Sequence, residues 1–120
     1  MELKNKVVLL TGASTGIGKG IAKVFLKKGA KVIVFGKHKP EFCSFFYEVD
    51  VGDENQIISA LSKIRRIDIL INNAGIILPA KVTETTNEMM ENMINVNFKS
   101  VFWMAKYSIL KLNKRAALLT

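Results

Sequence analysis

Apolar residues in the first third of the chain follow two spacings, and each predicts one kind of element. The runs "KVVLLTG", residues 6–12, and "KVIVF", residues 31–35, are short and rich in β-branched residues, which favours strands buried on both faces. Between them, over residues 16–28, apolar positions recur at the three- and four-residue intervals of an amphipathic helix. This order predicts a βαβ unit with parallel strands.

The same alternation continues to the end of the chain. The run "FFYEV" predicts a third strand, and only nine residues, "GKHKPEFCS", separate it from the second, so we expect a loop or single turn there. Residues 54–66 predict a helix with acids at its start and bases at its end, and "IDILIN" a fourth strand. Thr85 and Glu88 have capping-box spacing before a helix that reaches about Leu112, and "AALLT" could start a fifth strand.

Strands that alternate with helices in this way predict an α/β fold, a doubly wound parallel sheet. A chain of 120 residues is long enough for one domain with its own core. We therefore treat residues 1–120 as a single domain.

The net charge and the single cysteine limit the partners and metal sites that we expect for this chain. The net charge is +8, but the basic residues are dispersed and no recognition motif accompanies them, so we predict a solvated basic surface and no nucleic-acid partner. One cysteine, Cys43, allows neither an intramolecular disulfide nor a paired-cysteine metal motif. The first apolar run is too short for a membrane span or signal core. We expect a cytoplasmic protein with no metal site and no membrane partner.

The segment "TGASTGIG", residues 11–18, lies between a predicted strand and a predicted helix, as a phosphate-binding turn requires. Gly12 permits a tight turn, Gly16 lets the backbone approach a pyrophosphate, and Gly18 allows close packing of helix on strand. The helix N-terminus offers N–H groups and partial positive charge, to which Ser14 and Thr15 add hydroxyls. The pattern predicts a phosphate-binding turn, and a glycine turn without a ligand is the alternative.

Four motifs together resemble the short-chain dehydrogenase/reductase family. They are the glycine loop, "DV" at residues 50–51, "NNAG" at residues 72–75 and "NVNF" at residues 95–98, in the family's order and at its intervals. The resemblance extends over residues 6–107. It implies a Rossmann-like sheet that is incomplete at its C-terminal side, a dinucleotide cofactor, and an alcohol or ketone substrate for the complete family member.

The resemblance also assigns roles to individual residues. Asp50 and Val51 match the pair that contacts adenine, and the "NAG" turn matches the segment that lines the ribose. The residues expected to bind the cofactor are Gly12, Ser14, Thr15, Gly16, Ile17, Gly18, Asp50, Val51, Asn73, Ala74 and Gly75. For Asp50 and for Asn72–Asn73, a turn-forming role is the alternative.

Asn97 resembles the family's helix asparagine, which helps to hold a water in the proton relay, and it is the one catalytic candidate. A buried structural hydrogen bond is the alternative for it.

Lys37 bears on the choice of cofactor. An acid at the end of the second strand would accept hydrogen bonds from a ribose 2′-hydroxyl, whereas a base suits a 2′-phosphate. The chain has Gly36 and Lys37 there, and no acid before Glu41. We therefore expect NADP(H), with NAD(H) as second choice; Lys37 as a solvated turn residue is the alternative.

Tyr107 and Lys111 have the four-residue spacing of the family's catalytic pair but stand on the wrong helix. If that helix is continuous, Tyr107 lies about 15 Å along the axis from Asn97. We therefore interpret the pair as non-catalytic, and the family's catalytic serine, tyrosine and lysine as lacking from this chain.

An inactive nucleotide-binding or oligomerising module is the alternative function. Its candidate contact surface is a set of apolar residues on the last helix, with ordinary core packing as the competing interpretation; the set is Met89, Met90, Met93, Val101, Met104 and Ile109. A sheet that stops at a fifth strand leaves an open edge, so we expect a homo-oligomer.

Overall fold

The computed structural model describes residues 2–77 and 80–120, with the side chains of residues 113–115 excepted. The strands are β1 Val7–Thr11, β2 Lys31–Gly36, β3 Phe45–Glu48, β4 Ile67–Asn72 and β5 Leu112–Leu119. The α-helices are α1 Gly16–Lys27, α2 Glu54–Leu61, α3 Asn87–Ile94 and α4 Ser100–Ser108. A π-helical turn, Asn95–Lys99, joins α3 to α4, and short 3₁₀ turns occupy Val82–Glu84 and Ile109–Lys111.

The five strands form one parallel sheet in the order β3-β2-β1-β4-β5. This confirms the predicted doubly wound, Rossmann-like α/β fold. Strand β1 is central, and its last residue, Thr11, is in register with Phe35 of β2 and Asn72 of β4. The order reverses at β1 and β4, so the crevice in which such folds bind ligands lies at the carboxyl ends of these two strands.

Apolar layers cover both faces of the central strands. On one face, Leu9 and Leu70 pack with Ile57 of α2 and Met104 of α4. On the other face, the alternate strand residues pack against α1. Residues 8–10 of β1 have no exposed surface, as expected for strands of a parallel sheet that are covered on both sides.

A buried carboxylate joins the starts of β1 and β4. Asp68 is 3% exposed, and its Oδ2 accepts hydrogen bonds from the Val7 N–H at 2.8 Å and from Arg66 Nη2 at 2.9 Å. Pairing offsets the cost of removing this charge from water. The two strands are thereby tied across 61 residues of sequence.

Three sequence predictions need correction. Helix α2 ends at Leu61 rather than at residue 66, because the N–H groups of Lys63 and Ile64 turn back to the carbonyls three residues earlier. The cap of α3 is Thr86, whose hydroxyl accepts from the Met89 N–H at 3.1 Å, whereas the hydroxyl of the predicted cap, Thr85, donates to the Lys81 carbonyl. The last helix does not continue unbroken to Leu112, because a π-helical turn interrupts it, α4 ends at Ser108 and Leu112 begins β5. Met104 is fully buried, so the competing interpretation of core packing is correct for it.

The predicted loop between β2 and β3 is confirmed, since the described residues 37–44 contain no helix. A helix long and apolar enough to cross a membrane is likewise not found in the described ranges.

Candidate functional site

The glycine loop takes up the backbone shape that its sequence predicts. Gly12 and Gly16 have φ values of +71° and +61°, in the left-handed region that favours glycine. A Cβ on Gly12 would also lie 2.9 Å from the Ala74 Cα, so the loop and the turn after β4 approach each other too closely for a side chain. At Gly16, by contrast, no described atom beyond its chain neighbours and the adjoining backbone of α1 lies within 4 Å of the Cβ position. The backbone there is open to a ligand.

The N-terminus of α1 presents free donors beside Gly16. Thr15 is the N-cap in an extended conformation, and its side chain caps no N–H group in the described structure. The first N–H groups of a helix have no partner within the helix, and those of α1 follow directly from the open glycine. Its first turn also carries no acidic side chain. An anion placed here would meet the positive end of a 12-residue helix without a competing carboxylate.

Asn73 and Thr11 connect this loop to the turn after β4. The Thr11 hydroxyl accepts from the N–H groups of Asn73 and Ala74, both at 3.0 Å. The Asn73 side-chain amide donates to the Gly12 carbonyl at 2.6 Å. These bonds hold the loop and the turn in one fixed arrangement at the carboxyl ends of β1 and β4.

Gly18 is the tightest point of that arrangement. A Cβ on it would lie 1.9 Å from the Gly12 carbonyl oxygen and 2.4 Å from Asn73 Nδ2. Helix α1 can therefore begin this close to β1 only because residue 18 has no side chain.

Lys37 and Asp50 meet at the carboxyl ends of β2 and β3. Lys37 Nζ lies 3.7 Å from Asp50 Oδ2, and the lysine side chain is 63% exposed. The other Asp50 oxygen accepts from the Gly52 N–H at 2.9 Å, which is a turn-forming bond. Gln56 Oε1 accepts from the Asp50 N–H at 2.8 Å and so holds the turn from α2. Val51 is buried beside this turn.

Asn97 lies in the π-helical turn and binds the segment after β4. Its side chain accepts from the Ile76 N–H at 2.7 Å and donates to the Ile76 carbonyl at 2.8 Å, so one amide pairs with the main chain as a neighbouring strand would. A Cβ on Gly75 would lie 3.4 Å from Asn97 Oδ1. The alternative interpretation of Asn97 was a buried structural hydrogen bond. The structural hydrogen bonds are present, but the residue is exposed rather than buried. π-helical turns are frequent at functional sites.

Tyr107 and Lys111 have partners away from the crevice. The Tyr107 hydroxyl donates to Glu54 on α2, and Lys111 Nζ donates to the Ile64 carbonyl at 2.7 Å. The hydrogen bond to Glu54 raises the pKa of Tyr107 above its ordinary value, and burial and the Glu54 charge act in the same direction. A raised pKa favours the neutral phenol, which is the opposite of phenolate activation.

The structure brings most of the predicted residues together. The glycine loop, the "NAG" turn and Asn97 surround the carboxyl ends of β1 and β4, and Lys37 and Asp50 lie along the same edge at β2 and β3. Thr11 and Gln56 are site residues that the predictions missed. Thr11 stood within the quoted motif as the last residue of a strand. Gln56 stands three residues after the cap Asp53, which is capping-box spacing, but its Oε1 accepts from the Asp50 N–H rather than from the Asp53 N–H. The described residues hold no group of three or more His, Cys, Asp or Glu side chains that could bind a metal.

Comparison with known proteins agrees with this geometry. A family model described as short chain dehydrogenase matches residues 6–117. The chain belongs to the short-chain dehydrogenase family. The chain spans about half the length of the curated family members it matches.

Two curated members come from Thermotoga maritima. An uncharacterized oxidoreductase is 34% identical over an alignment 129 residues long, which covers 96% of this chain and 51% of that protein. A 3-oxoacyl-acyl-carrier-protein reductase is 36% identical over an alignment 118 residues long, which covers 85% of this chain and 48% of that protein.

Two solved structures share the fold. The ligand-free aldohexose dehydrogenase of Thermoplasma acidophilum superposes with a TM-score of 0.83 at 33% identity, over 91% of this chain and 45% of that one. A short chain dehydrogenase of Burkholderia cenocepacia in complex with NADP superposes with a TM-score of 0.89 at 24% identity, over 98% and 55%.

Proposed function

We propose that this chain is the cofactor-binding part of an NADP(H)-dependent short-chain oxidoreductase, a class that transfers hydride between a nicotinamide and an alcohol or ketone. The observation that carries the proposal is the open backbone at Gly16 beside the uncapped N-terminus of α1. A pyrophosphate bound there would accept hydrogen bonds from main-chain N–H groups and lie at the positive end of the helix. When the cofactor is bound, its nicotinamide would supply the hydride chemistry.

The remaining residues have roles along the same edge. Asp50 and Val51 would contact the adenine, and the Asn73–Gly75 turn would line the ribose next to the nicotinamide. Asn97 would keep that turn in place through Ile76 and take its part in the proton relay.

The proposed preference for NADP(H) over NAD(H) rests on Lys37. Its ion pair with Asp50 is long and exposed, and exposed pairs contribute at most about 1 kcal/mol, so the ammonium is free to exchange Asp50 for a 2′-phosphate. The Lys37 side chain would then reach the phosphate from the end of β2.

Turnover by this chain alone is not expected. The side chains of Tyr107 and Lys111 are engaged with Glu54 and the Ile64 carbonyl, away from the crevice. We propose that they are structural and that this chain binds cofactor without catalysing hydride transfer. Residues 1–120 would then form a single domain whose function is to bind the cofactor.

Calorimetric titration with NADPH and NADH tests the proposal. We expect saturable NADPH binding that is tighter than NADH binding and is lost in Gly16→Val. Gly20→Val is the control for valine in the same helix, because its Cβ position is equally free. Since only Gly16 of the two has a positive φ, circular dichroism must show that Gly16→Val remains folded. Failure of NADPH to bind a folded chain would refute the cofactor role.

The cofactor choice has its own test. We expect Lys37→Ala to weaken NADPH binding by roughly fivefold, the equivalent of about 1 kcal/mol, and to leave NADH binding unchanged. Lys39→Ala in the same loop is the control. Equal losses for both nucleotides would assign Lys37 to the adenosine or the fold rather than to the 2′-phosphate.

A second candidate function, an oligomerising module, is favoured by two exposed aromatic residues, one in the π-helical turn and one in α4. Phe98 and Phe102, four residues apart and hence on one face, are 74% and 61% exposed. We propose that this face is covered by a second copy of the chain. Sedimentation should give a dimer that Phe98→Ser/Phe102→Ser makes monomeric, while Ile58→Ser on α2 leaves it unchanged; a monomeric parent chain would refute this.

A further inference from the structure

A second cavity, of about 700 Å³, lies at the amino-terminal ends of the strands, opposite the end that carries the glycine loop. Its lining includes the first residues of three neighbouring strands, Val7, Lys31 and Phe45, and the segment that precedes β4. Cavities of roughly 300–1,000 Å³ are typical of small-molecule sites. Strand β1 has five residues that rise about 3.3 Å each, and its length separates this cavity from the proposed cofactor site. One small ligand therefore cannot occupy both sites.

The cavity carries unbalanced positive charge. Its lining contains four cations and, as far as the structure describes it, no acid. Arg66 is paired with Asp68 at 2.9 Å. The other three, Lys31, Lys63 and Arg65, have no ion pair within the described part of the chain. Clefts lined by one sign of charge concentrate ligands of the opposite sign, so this cavity favours an anion.

The floor of the cavity is apolar and aromatic. Tyr47 stands edge-on to the fully buried Phe35, with ring centroids 5.8 Å apart at 81°, so packing fixes its orientation. Lys63 Nζ lies 5.9 Å from the Tyr47 ring centroid. Phe45, on the same wall, is 58% exposed. A planar apolar group entering the cavity would meet the exposed Phe45 ring and the Tyr47 ring, over which the Lys63 ammonium lies.

We propose that this cavity binds a small aromatic anion, meaning a ring system that carries a phosphate or carboxylate. The ring packs against Phe45 and Tyr47, and the anionic group pairs with Lys31 and Arg65. The site is separate from the proposed cofactor site and does not depend on it.

Chemical-shift mapping of the ¹⁵N-labelled 120-residue chain with 1-naphthyl phosphate tests the proposal. We expect saturable shifts at the amides of Ile33, Tyr47 and Lys63, which line the cavity. Gly16→Val should leave this titration unchanged, which separates it from the cofactor site. Inorganic phosphate and neutral 1-naphthol should each bind more than tenfold more weakly, because one lacks the ring and the other the charge.

Variants identify the cationic contacts. Lys31→Ala/Arg65→Ala should weaken binding roughly five- to thirtyfold, as expected for two partly exposed ion pairs. Lys81→Ala/Lys99→Ala removes the same charge from exposed positions outside the cavity and should have little effect. The proposal is overturned if the cavity amides do not shift saturably, if both double variants weaken binding equally, or if 1-naphthol binds as tightly as the phosphate.

Discussion

Gly18 and Gly20 should respond in opposite directions to the same substitution. Both lie in α1, two residues apart, and both would become alanine. At residue 18 the distance from the new Cβ to the Gly12 oxygen has to grow from 1.9 Å to at least 3.0 Å, whereas at residue 20 the described surroundings leave the Cβ position empty. The pair of variants therefore separates a packing constraint from helix propensity.

The size of the difference follows from the contacts. Overpacking costs about 1–3 kcal/mol, and displacing the Asn73 amide from the Gly12 carbonyl costs about 1 kcal/mol more. Both variants gain up to about 1 kcal/mol of helix propensity, which cancels between them. We therefore expect Gly20→Ala to be slightly stabilising, and Gly18→Ala to be less stable than Gly20→Ala by about 2–4 kcal/mol.

Urea unfolding followed by far-ultraviolet circular dichroism measures this difference. With a slope of about 2 kcal/mol per molar urea, the two midpoints should differ by about 1–2 M. Midpoints within about 0.3 M of each other would refute the reasoning, because the loop would then accommodate a methyl group at almost no cost.

Other side chains give further predictions. Thr11→Val leaves the N–H groups of Asn73 and Ala74 without their acceptor and should cost about 2–4 kcal/mol in urea unfolding, whereas Thr11→Ser should cost clearly less; equal losses would contradict the bonding. Asp53 caps α2 by accepting from the N–H groups of Asn55 and Gln56, so Asp53→Ala should cost about 1 kcal/mol and Asp53→Asn far less in the same assay. Tyr107→Phe removes the bond to Glu54; since the pKa of Tyr107 is raised, the parent chain should be more stable than the variant below about pH 10 and lose that advantage as pH rises through the raised pKa. Thermal unfolding between pH 7 and pH 11 tests this, and a gap that does not narrow would count against the bond.

The sequence predicted the elements whose burial is complete. Strands β1, β2 and β4 are covered on both faces, so β1 and β2 each contain an uninterrupted apolar run, and the run of β4 is broken only by the buried Asp68. The glycine loop was equally clear, because positive φ at Gly12 and the contact at Gly18 allow few other residues.

Boundaries and distant partners were harder to predict. Two adjacent threonines, Thr85 and Thr86, both precede α3, and only the geometry shows which one caps it. Tyr107 has a lysine four residues away in sequence, but its hydrogen-bond partner, Glu54, is 53 residues away. Local spacing carries no information about contacts that form only when separate elements pack together.

The position of β1 at the centre of the sheet has a consequence for how the protein is made. Its partner on one side, β4, lies far along the chain, and the bond between Val7 and Asp68 spans 61 residues. At a synthesis rate of about 5–20 residues per second, the ribosome needs about 3–12 s to add that interval. In the part of that time after β2 has been made, β1 can pair only with β2, and its other edge is an apolar strand open to any neighbouring chain. Slow translation or crowded polysomes should therefore promote aggregation of this chain before release, and a chaperone that covers β1 should be most useful during those seconds.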